Sequence, residues 1–117
     1  MTIPTIEISH AHNAPGYAWT WSVERDGQVL DAALSDNTYD RHSDARRDAA
    51  TALFKIVRAE QLALGRSIAY ETYRPARGEV GVVLYVDGVD AGADEGFFDA
   101  ASAIGRALPI LLAQFGA

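Results

Sequence analysis

Residues 17–34 read YAWTWSVERDGQVLDAAL, and this stretch decides the fold. Two runs of alternating apolar and polar residues flank Asp26-Gly27. This dipeptide is the strongest short-range signal for a β-hairpin with a two-residue turn. The stretch therefore predicts two antiparallel strands joined at Asp26-Gly27, with Arg25 facing Gln28 across the turn.

The register of this hairpin follows by counting outward from the turn. It predicts three cross-strand pairs on one face: Val23 with Leu30, Trp21 with Ala32 and Trp19 with Leu34. Because a shift of one residue along a strand moves its side chains to the other face, the tryptophans should fix this register by facing a core.

Length and composition bound the class of protein. The chain has 117 residues, 49% of them hydrophobic, which predicts one domain with a core of its own. It contains no cysteine, so disulfide and thiolate chemistry are excluded. No signal-like or membrane-spanning stretch occurs, which predicts a soluble, cytoplasmic protein with no membrane partner.

The rest of the first half predicts a further strand and a helix. Residues 3–9 alternate and read as a short strand, and a helix should span residues 43–64. Ser43 is the predicted N-cap, Asp44 places a negative charge in the first turn, and Gly65 ends the helix.

The second half repeats this order. Residues 67–74 and 79–86 read as strands, the second of them central because it is almost entirely apolar. Asp87-Gly88 predicts another hairpin, with a short return strand that ends near Ala91. A second helix should begin at about Glu95 and kink or split near Ala107, because Pro109 cannot donate a backbone hydrogen bond.

The two halves predict a duplicated βββα unit, with pseudo-repeats over residues 3–64 and 67–116. Their turn glycines and hairpin glycines are spaced by 62 and 61 residues. The predicted fold class is therefore α+β, with a single domain over residues 1–117. Its antiparallel sheet is built from two βββα units and forms one layer, and both helices pack on this sheet.

The segment WTWSVERDGQVL, followed by Ser35, Tyr39 and a helix that contains Asp44, Ala45 and Ala49, resembles the repeat of the YegP-like family of small bacterial proteins. The resemblance covers about residues 17–53. It implies a duplicated βββα fold. The family has no established activity, so the resemblance implies no catalytic or cofactor-binding residues.

Charge provides the leading functional prediction. The net charge is −6, and residues 79–99 contain no basic residue. We predict a non-enzymatic protein-interaction module, without cofactor, that presents an acidic surface to a basic protein partner, as nucleic-acid mimics and phage-encoded inhibitors of host defence complexes do. The predicted partner-binding residues are Glu79, Asp87, Asp90, Asp94, Glu95 and Asp99.

Nucleic-acid binding is an alternative, although the net negative charge disfavours it. Eight of the ten basic residues lie within residues 41–77. A basic face on the first helix, together with an exposed aromatic strand containing Trp19 and Trp21, would bind phosphates and stack bases. The residues of this face are Arg46, Arg47, Lys55 and Arg58.

A small metal-dependent enzyme is the other alternative. His10 and His12 would share a face if the first strand reached them, with His42 or Asp40 as a third ligand. The absence of Cys and the turn-like residues that follow favour two solvent-exposed loop histidines instead. No nucleophile elbow or phosphate-binding loop occurs, so no catalytic residue is assigned.

Self-association is left open by the sequence. Ile110 lies on the outer side of the last helix, and the strand at residues 80–86 contains no charged residue. A homodimer could form through that helix or through an edge strand.

Overall fold

A computed structural model describes residues 3–10, 18–34 and 38–115. The elements follow in the order β1 (Thr5–His10), β2 (Trp19–Arg25), β3 (Gln28–Ala32), α1 (His42–Ala63), β4 (Ile68–Tyr73), β5 (Val80–Val86), β6 (Val89–Phe97) and α2 (Ala100–Phe115). The strands form two antiparallel three-stranded sheets, ordered β1-β2-β3 and β4-β5-β6. The predicted α+β class is confirmed, and β5 is central as predicted. The described strands form two hydrogen-bonded sheets and not one continuous sheet.

Both predicted hairpin turns are confirmed. Asp26 and Gly27 have φ of 51° and 80°, and Asp87 and Gly88 have φ of 52° and 79°. Positive φ at both central residues defines the type I′ turn, whose twist matches that of the flanking strands. Asp and Gly are favoured there because Gly has no Cβ and Asp tolerates the left-handed region.

The predicted register of the first hairpin holds only next to the turn. Arg25 pairs with Gln28 and Glu24 with Val29, but Val23 pairs with Asp31. A bulge at Leu30 adds one residue to β3, so the predicted partners of Val23, Trp21 and Trp19 are wrong. Trp21 and Val23 are nevertheless buried, because the shift occurs in the partner strand and leaves the faces of β2 unchanged.

Trp19 therefore pairs with a residue that lies beyond β3. Its backbone N–H donates to the Tyr39 carbonyl over 2.7 Å, and the Tyr39 N–H donates back over 3.0 Å. Leu34, the predicted partner, is 72% exposed.

The first helix begins one residue earlier than predicted. Its N-cap is Arg41, with no side-chain cap hydrogen bond, so the prediction of Ser43 as N-cap is wrong. The earlier start follows from tertiary contacts of His42, whose ring packs edge-on against Trp19 and contacts Arg46 one turn later. Asp44 lies in the first turn, as predicted.

The end of α1 is the predicted one. Gly65 has φ of 82°, and the N–H groups of Gly65 and Arg66 donate to the carbonyls of Leu62 and Gln61. This pair of bonds is the Schellman motif, which needs a residue in the left-handed region.

The second half differs from its prediction in β6 and α2. The strand β6 continues to Phe97, where it pairs with Val80, and α2 begins only at Ala100. Asp94 and Glu95 therefore lie in a strand and not at a helix start. Gly92 and Gly96, with φ of 127° and 97°, accommodate the irregular pairing of this strand.

The second helix runs unbroken through Pro109, so the predicted split near Ala107 does not occur. Leu108 and Leu111, on either side of Pro109, are both buried. Packing of this apolar stripe stabilises the turns that the missing backbone hydrogen bond would otherwise weaken.

The two helices lie side by side on one side of the sheets. The first packs mainly on β1 and β2, and the second on β5 and β6. They run in the same direction, because Arg46 near the start of α1 contacts Asp99, and Arg66 after its end lies over the ring of Phe115. Extents of 46 × 37 × 17 Å fit one layer of strands and one of helices. The opposite face of the sheets carries no helix of the described chain.

Candidate functional site

The face of the second sheet that points away from the helices is the candidate site. Along β5, Val82 and Leu84 are buried beneath the helices, so the alternate residues Val83 and Tyr85 face the other way and are half-buried. We use the name open sheet face for this surface. It is formed by Glu71, Tyr73, Val83, Tyr85, Asp90 and Glu95.

Two tyrosines on the open sheet face donate hydrogen bonds to carboxylates of neighbouring strands. The Tyr73 hydroxyl donates to Glu95 over 2.9 Å, and the Tyr85 hydroxyl donates to Glu71 over 3.4 Å. These bonds run from β4 to β6 and from β5 to β4, so they connect all three strands. The strands β4, β5 and β6 contain no Lys, Arg or His.

Both tyrosines of this face have a raised pKa. The hydrogen bond to Glu95 is the main cause of the raised pKa of Tyr73, and desolvation and the charges of Glu95, Asp94 and Asp90 add to it. Desolvation is the largest cause of the raised pKa of Tyr85, followed by the charge of Glu71. Each carboxylate disfavours a second negative charge on the phenol beside it.

Gly81 allows Tyr73 to reach across the sheet. Tyr73 and Gly81 are direct neighbours on adjacent strands. A Cβ at position 81 would lie 2.4 Å from the Tyr73 Cζ atom, so the ring covers the glycine. The missing side chain of Gly81 is therefore what places the Tyr73 hydroxyl beside Glu95 on β6.

The outer face of the first sheet also carries carboxylates. Glu7 on β1 is exposed and pairs in register with Ser22, whose hydroxyl donates to Glu24 over 2.8 Å. Because α1 also contacts β4 and α2 also contacts β1, the helices share one side of the molecule. The outer faces of both sheets therefore lie on the opposite side together.

The structure brings together some of the predicted acidic residues and separates others. Asp90, Asp94 and Glu95 lie on β6, whereas Glu79 is exposed just before β5. Asp87 lies at the hairpin tip, where its carboxylate accepts the Ser67 N–H over 2.9 Å.

Asp99 has a structural environment of its own, at the start of α2. Its carboxylate accepts a hydrogen bond from the Ser102 N–H over 2.7 Å and forms an ion pair with Arg46 over 2.8 Å. Partial burial raises its pKa, but the bonds from Arg46 and Ser102 outweigh this effect and lower the pKa overall. Asp99 is therefore a helix cap and not part of the open sheet face.

Glu71 was missed by the sequence prediction, which considered only the acidic run at residues 79–99. The alternation over residues 67–74 contained the signal, because Glu71 and Tyr73 are two residues apart and so share a face.

Three of the four basic residues of the alternative site share the exposed side of α1, and Arg46 does not. Arg46 is directed to Asp99 between the helices, while Arg47 pairs with Asp44 over 3.1 Å on the exposed side of α1. Lys55 and Arg58 are exposed on that same side.

The aromatic strand does not form an exposed stacking platform in the described residues. Trp21 is 9% exposed, and its indole N–H donates to the Tyr39 hydroxyl over 3.1 Å. Trp19 is half-buried, stacked on His10 at 4.2 Å and in edge contact with His42 at 4.8 Å.

The predicted metal site lies partly outside the described residues, since His12 falls within residues 11–17. Across residues 3–10, 18–34 and 38–115, no group of three or more His, Asp or Glu side chains could hold a metal ion. In the same ranges, no helix has the length and apolarity needed to cross a membrane.

Comparisons of the chain with protein-family models, with curated proteins and with solved structures give no match.

Proposed function

We propose that this protein is a non-enzymatic, cytoplasmic interaction module that binds a basic protein partner through the open sheet face. The observation that carries the proposal is the arrangement of Glu71, Asp90 and Glu95 around Tyr73 and Tyr85, on strands without a single base. A positively charged surface is the complement of such a face.

The residue types on this face support binding by a protein surface. Tyrosine is enriched at protein interfaces, because its ring supplies apolar contact area and its hydroxyl a hydrogen bond. The surrounding carboxylates would accelerate association with a basic partner and orient it. The partner class that fits best is a nucleic-acid-binding protein whose basic groove accepts this face in place of nucleic acid, as with phage-encoded inhibitors of host defence complexes.

Neutralising the open sheet face tests the proposal. The variant Glu71→Gln/Asp90→Asn/Glu95→Gln removes three negative charges and retains the hydrogen-bonding shape of each side chain. A matched control, Asp26→Asn/Asp40→Asn/Asp48→Asn, removes the same charge from other exposed positions. Partners are captured from a native-host extract at low salt and identified, and their association rates with each variant are measured.

We expect the open-face variant to associate about tenfold or more slowly with the captured basic protein, and the control to remain close to wild type. The rate should also fall steeply with ionic strength for wild type and less for the open-face variant. Equal rates for both variants would contradict the proposal. Salt-sensitive retention on DNA or RNA that is lost in Arg47→Gln/Lys55→Gln/Arg58→Gln would favour the nucleic-acid alternative.

A further inference from the structure

A cavity of about 430 Å³ lies where the two halves of the molecule meet, at the end where both helices begin. Its walls come from β1, from the end of β6 and from the first turns of α1 and α2. The residues that matter for its chemistry are Ile6, Ile8, His42, Arg46, Phe97 and Arg106. Its volume falls within the range of about 300–1,000 Å³ that is typical of small-molecule sites.

Arg46 of α1 is held in the wall of this cavity by two contacts. The Arg46 Nη2 donates to Asp99 over 2.8 Å, and its Nη1 contacts His42 Nδ1 over 2.7 Å. A guanidinium can only donate, so the His42 Nδ1 accepts in this contact. The Arg46 Nε is buried without a hydrogen-bond partner, which leaves one donor of this side chain unsatisfied.

The arginine of α2 contributes a charge that is not neutralised. Arg106 is exposed, lines the cavity, and forms no ion pair or hydrogen bond with any residue in the described part of the chain. Asp99 balances Arg46, so Arg106 makes the cavity wall positive overall. This local charge is opposite in sign to the net charge of −6 of the whole chain.

The start of α1 reinforces the positive potential. The helices run in the same direction, so the N-terminal turns of both, at His42 and at Ala101, line the same cavity. Each helix carries a partial positive charge of about half an elementary charge at its N-terminus. Asp99 already caps the start of α2, whereas α1 has no side-chain cap. An anion in the cavity would therefore be stabilised by the dipole of α1 as well as by Arg106.

The remaining wall is apolar. Ile6 and Ile8 of β1 line the cavity together with Phe97 and Ala101, and Phe98, which also lines it, is 91% exposed. An aromatic side chain exposed to this degree beside an apolar wall would be buried by a ligand with an apolar body. A small inorganic anion would leave the apolar wall uncovered, whereas a neutral apolar molecule would leave Arg106 without a counter-charge.

We propose that this cavity binds small monocarboxylates with an apolar body. The carboxylate lies at Arg106 and the start of α1, and the body lies against Ile6, Ile8 and Phe97. This site is separate from the open sheet face, and the proposal does not depend on that function. One unpaired arginine matches one carboxylate, which distinguishes this ligand class from phosphate dianions.

Three probes separate the contributions of charge and apolar body. Octanoate has both, octanamide keeps the body without the charge, and acetate keeps the charge without the body. Isothermal titration of the full chain should give a Kd below about 1 mM for octanoate and binding about tenfold or more weaker for the other two. NMR shift changes on octanoate binding should be centred on Ile6, Ile8 and Phe97.

Paired arginine variants locate the charge. We expect Arg106→Gln to weaken octanoate about tenfold or more and leave octanamide unchanged, whereas Arg58→Gln, an exposed arginine of α1 outside the cavity, should bind octanoate as wild type does. Several results would overturn the proposal: no octanoate binding, octanamide or acetate binding as tightly as octanoate, equal loss in both variants, or shift changes centred elsewhere.

Discussion

Asp99 links the starts of the two helices. It accepts the Ser102 N–H at the start of α2, and it holds Arg46 of α1 in an ion pair. The sequence contained a signal for this role, since an Asp directly precedes the apolar periodicity of α2. The signal was obscured by Asp94 and Glu95, which also read as a helix start.

Replacing Asp99 separates its two roles. Asp99→Ala loses both the cap and the ion pair and should lower the free energy of unfolding by about 1–2 kcal/mol. Asp99→Asn keeps a capping oxygen and loses only the ion pair, whose contribution is about 1 kcal/mol or less because the Asp99 side chain is 41% exposed and screened by water. Urea unfolding of both variants measures the difference. Equal loss in the two variants would show that the cap contributes nothing.

The pH dependence of stability tests the contribution of the ion pair between Asp99 and Arg46. The folded state lowers the pKa of Asp99, so its charge stabilises the fold above the unfolded pKa of about 3.9 and this stabilisation is lost as pH falls through the lower, folded pKa. The stability difference between wild type and Asp99→Asn should therefore shrink on acidification from neutral pH. A difference that is constant down to pH 2 would contradict the ion-pair account.

At the scale of the elements, the second sheet depends on the contact between Gly81 and Tyr73. We expect Gly81→Ala to lower the melting temperature by about 5–10 °C, because the new Cβ would occupy the position of the Tyr73 ring. In a Tyr73→Ala background the same substitution should be neutral or slightly stabilising, because the obstacle is gone and Ala restricts the unfolded chain more than Gly does. Thermal unfolding of the four proteins completes a double-mutant cycle.

Tyr85 provides a matched control for this cycle. Tyr85 lies on the same open sheet face but is paired with Ala69 and Asp90 and not with a glycine. Tyr85→Ala should therefore leave the effect of Gly81→Ala unchanged. Additive effects of Gly81→Ala and Tyr73→Ala would refute the coupling.

The elements that the sequence predicted correctly are those fixed by local chemistry. The turns at Asp26-Gly27 and Asp87-Gly88 and the helix end at Gly65 each require positive φ, and the residue types that tolerate it are visible in the sequence. The bulge at Leu30 and the length of β6 were not predictable in this way, because both depend on how neighbouring strands pair. The break predicted from Pro109 does not occur either, because packing of α2 against the rest of the molecule stabilises the helix.

The candidate site was only partly predictable. Acidic residues on β6 were identified from composition, but their grouping with Glu71, Tyr73 and Tyr85 required the pairing of three strands. The cavity at the helix starts left no signal in any single segment. Its wall residues come from β1, α1, β6 and α2, so they become neighbours only when the two halves pack together.

At the scale of the whole molecule, the two halves share an element order but not a packing plan. Each half is three antiparallel strands followed by a helix. The first helix packs on the first two strands of its half, whereas the second helix packs on the last two strands of its half. The order fits the duplicated βββα unit, and duplication at the level of residues stays a prediction.

The halves should depend on each other for folding. Each helix packs against the other and reaches one strand of the opposite sheet, so separation would expose the buried alanines and leucines along both helices. A unit of about 60 residues buries too small a fraction of its surface to compensate for this loss. We therefore expect fragments 1–65 and 66–117, divided at the turn after α1, to show no cooperative unfolding alone and to recover a cooperative transition when mixed in equal amounts. Circular dichroism during thermal unfolding measures the cooperativity of each sample. The intact chain is the control. A cooperative transition in either fragment alone would mean that its core is sufficient and that the contact between the helices is secondary.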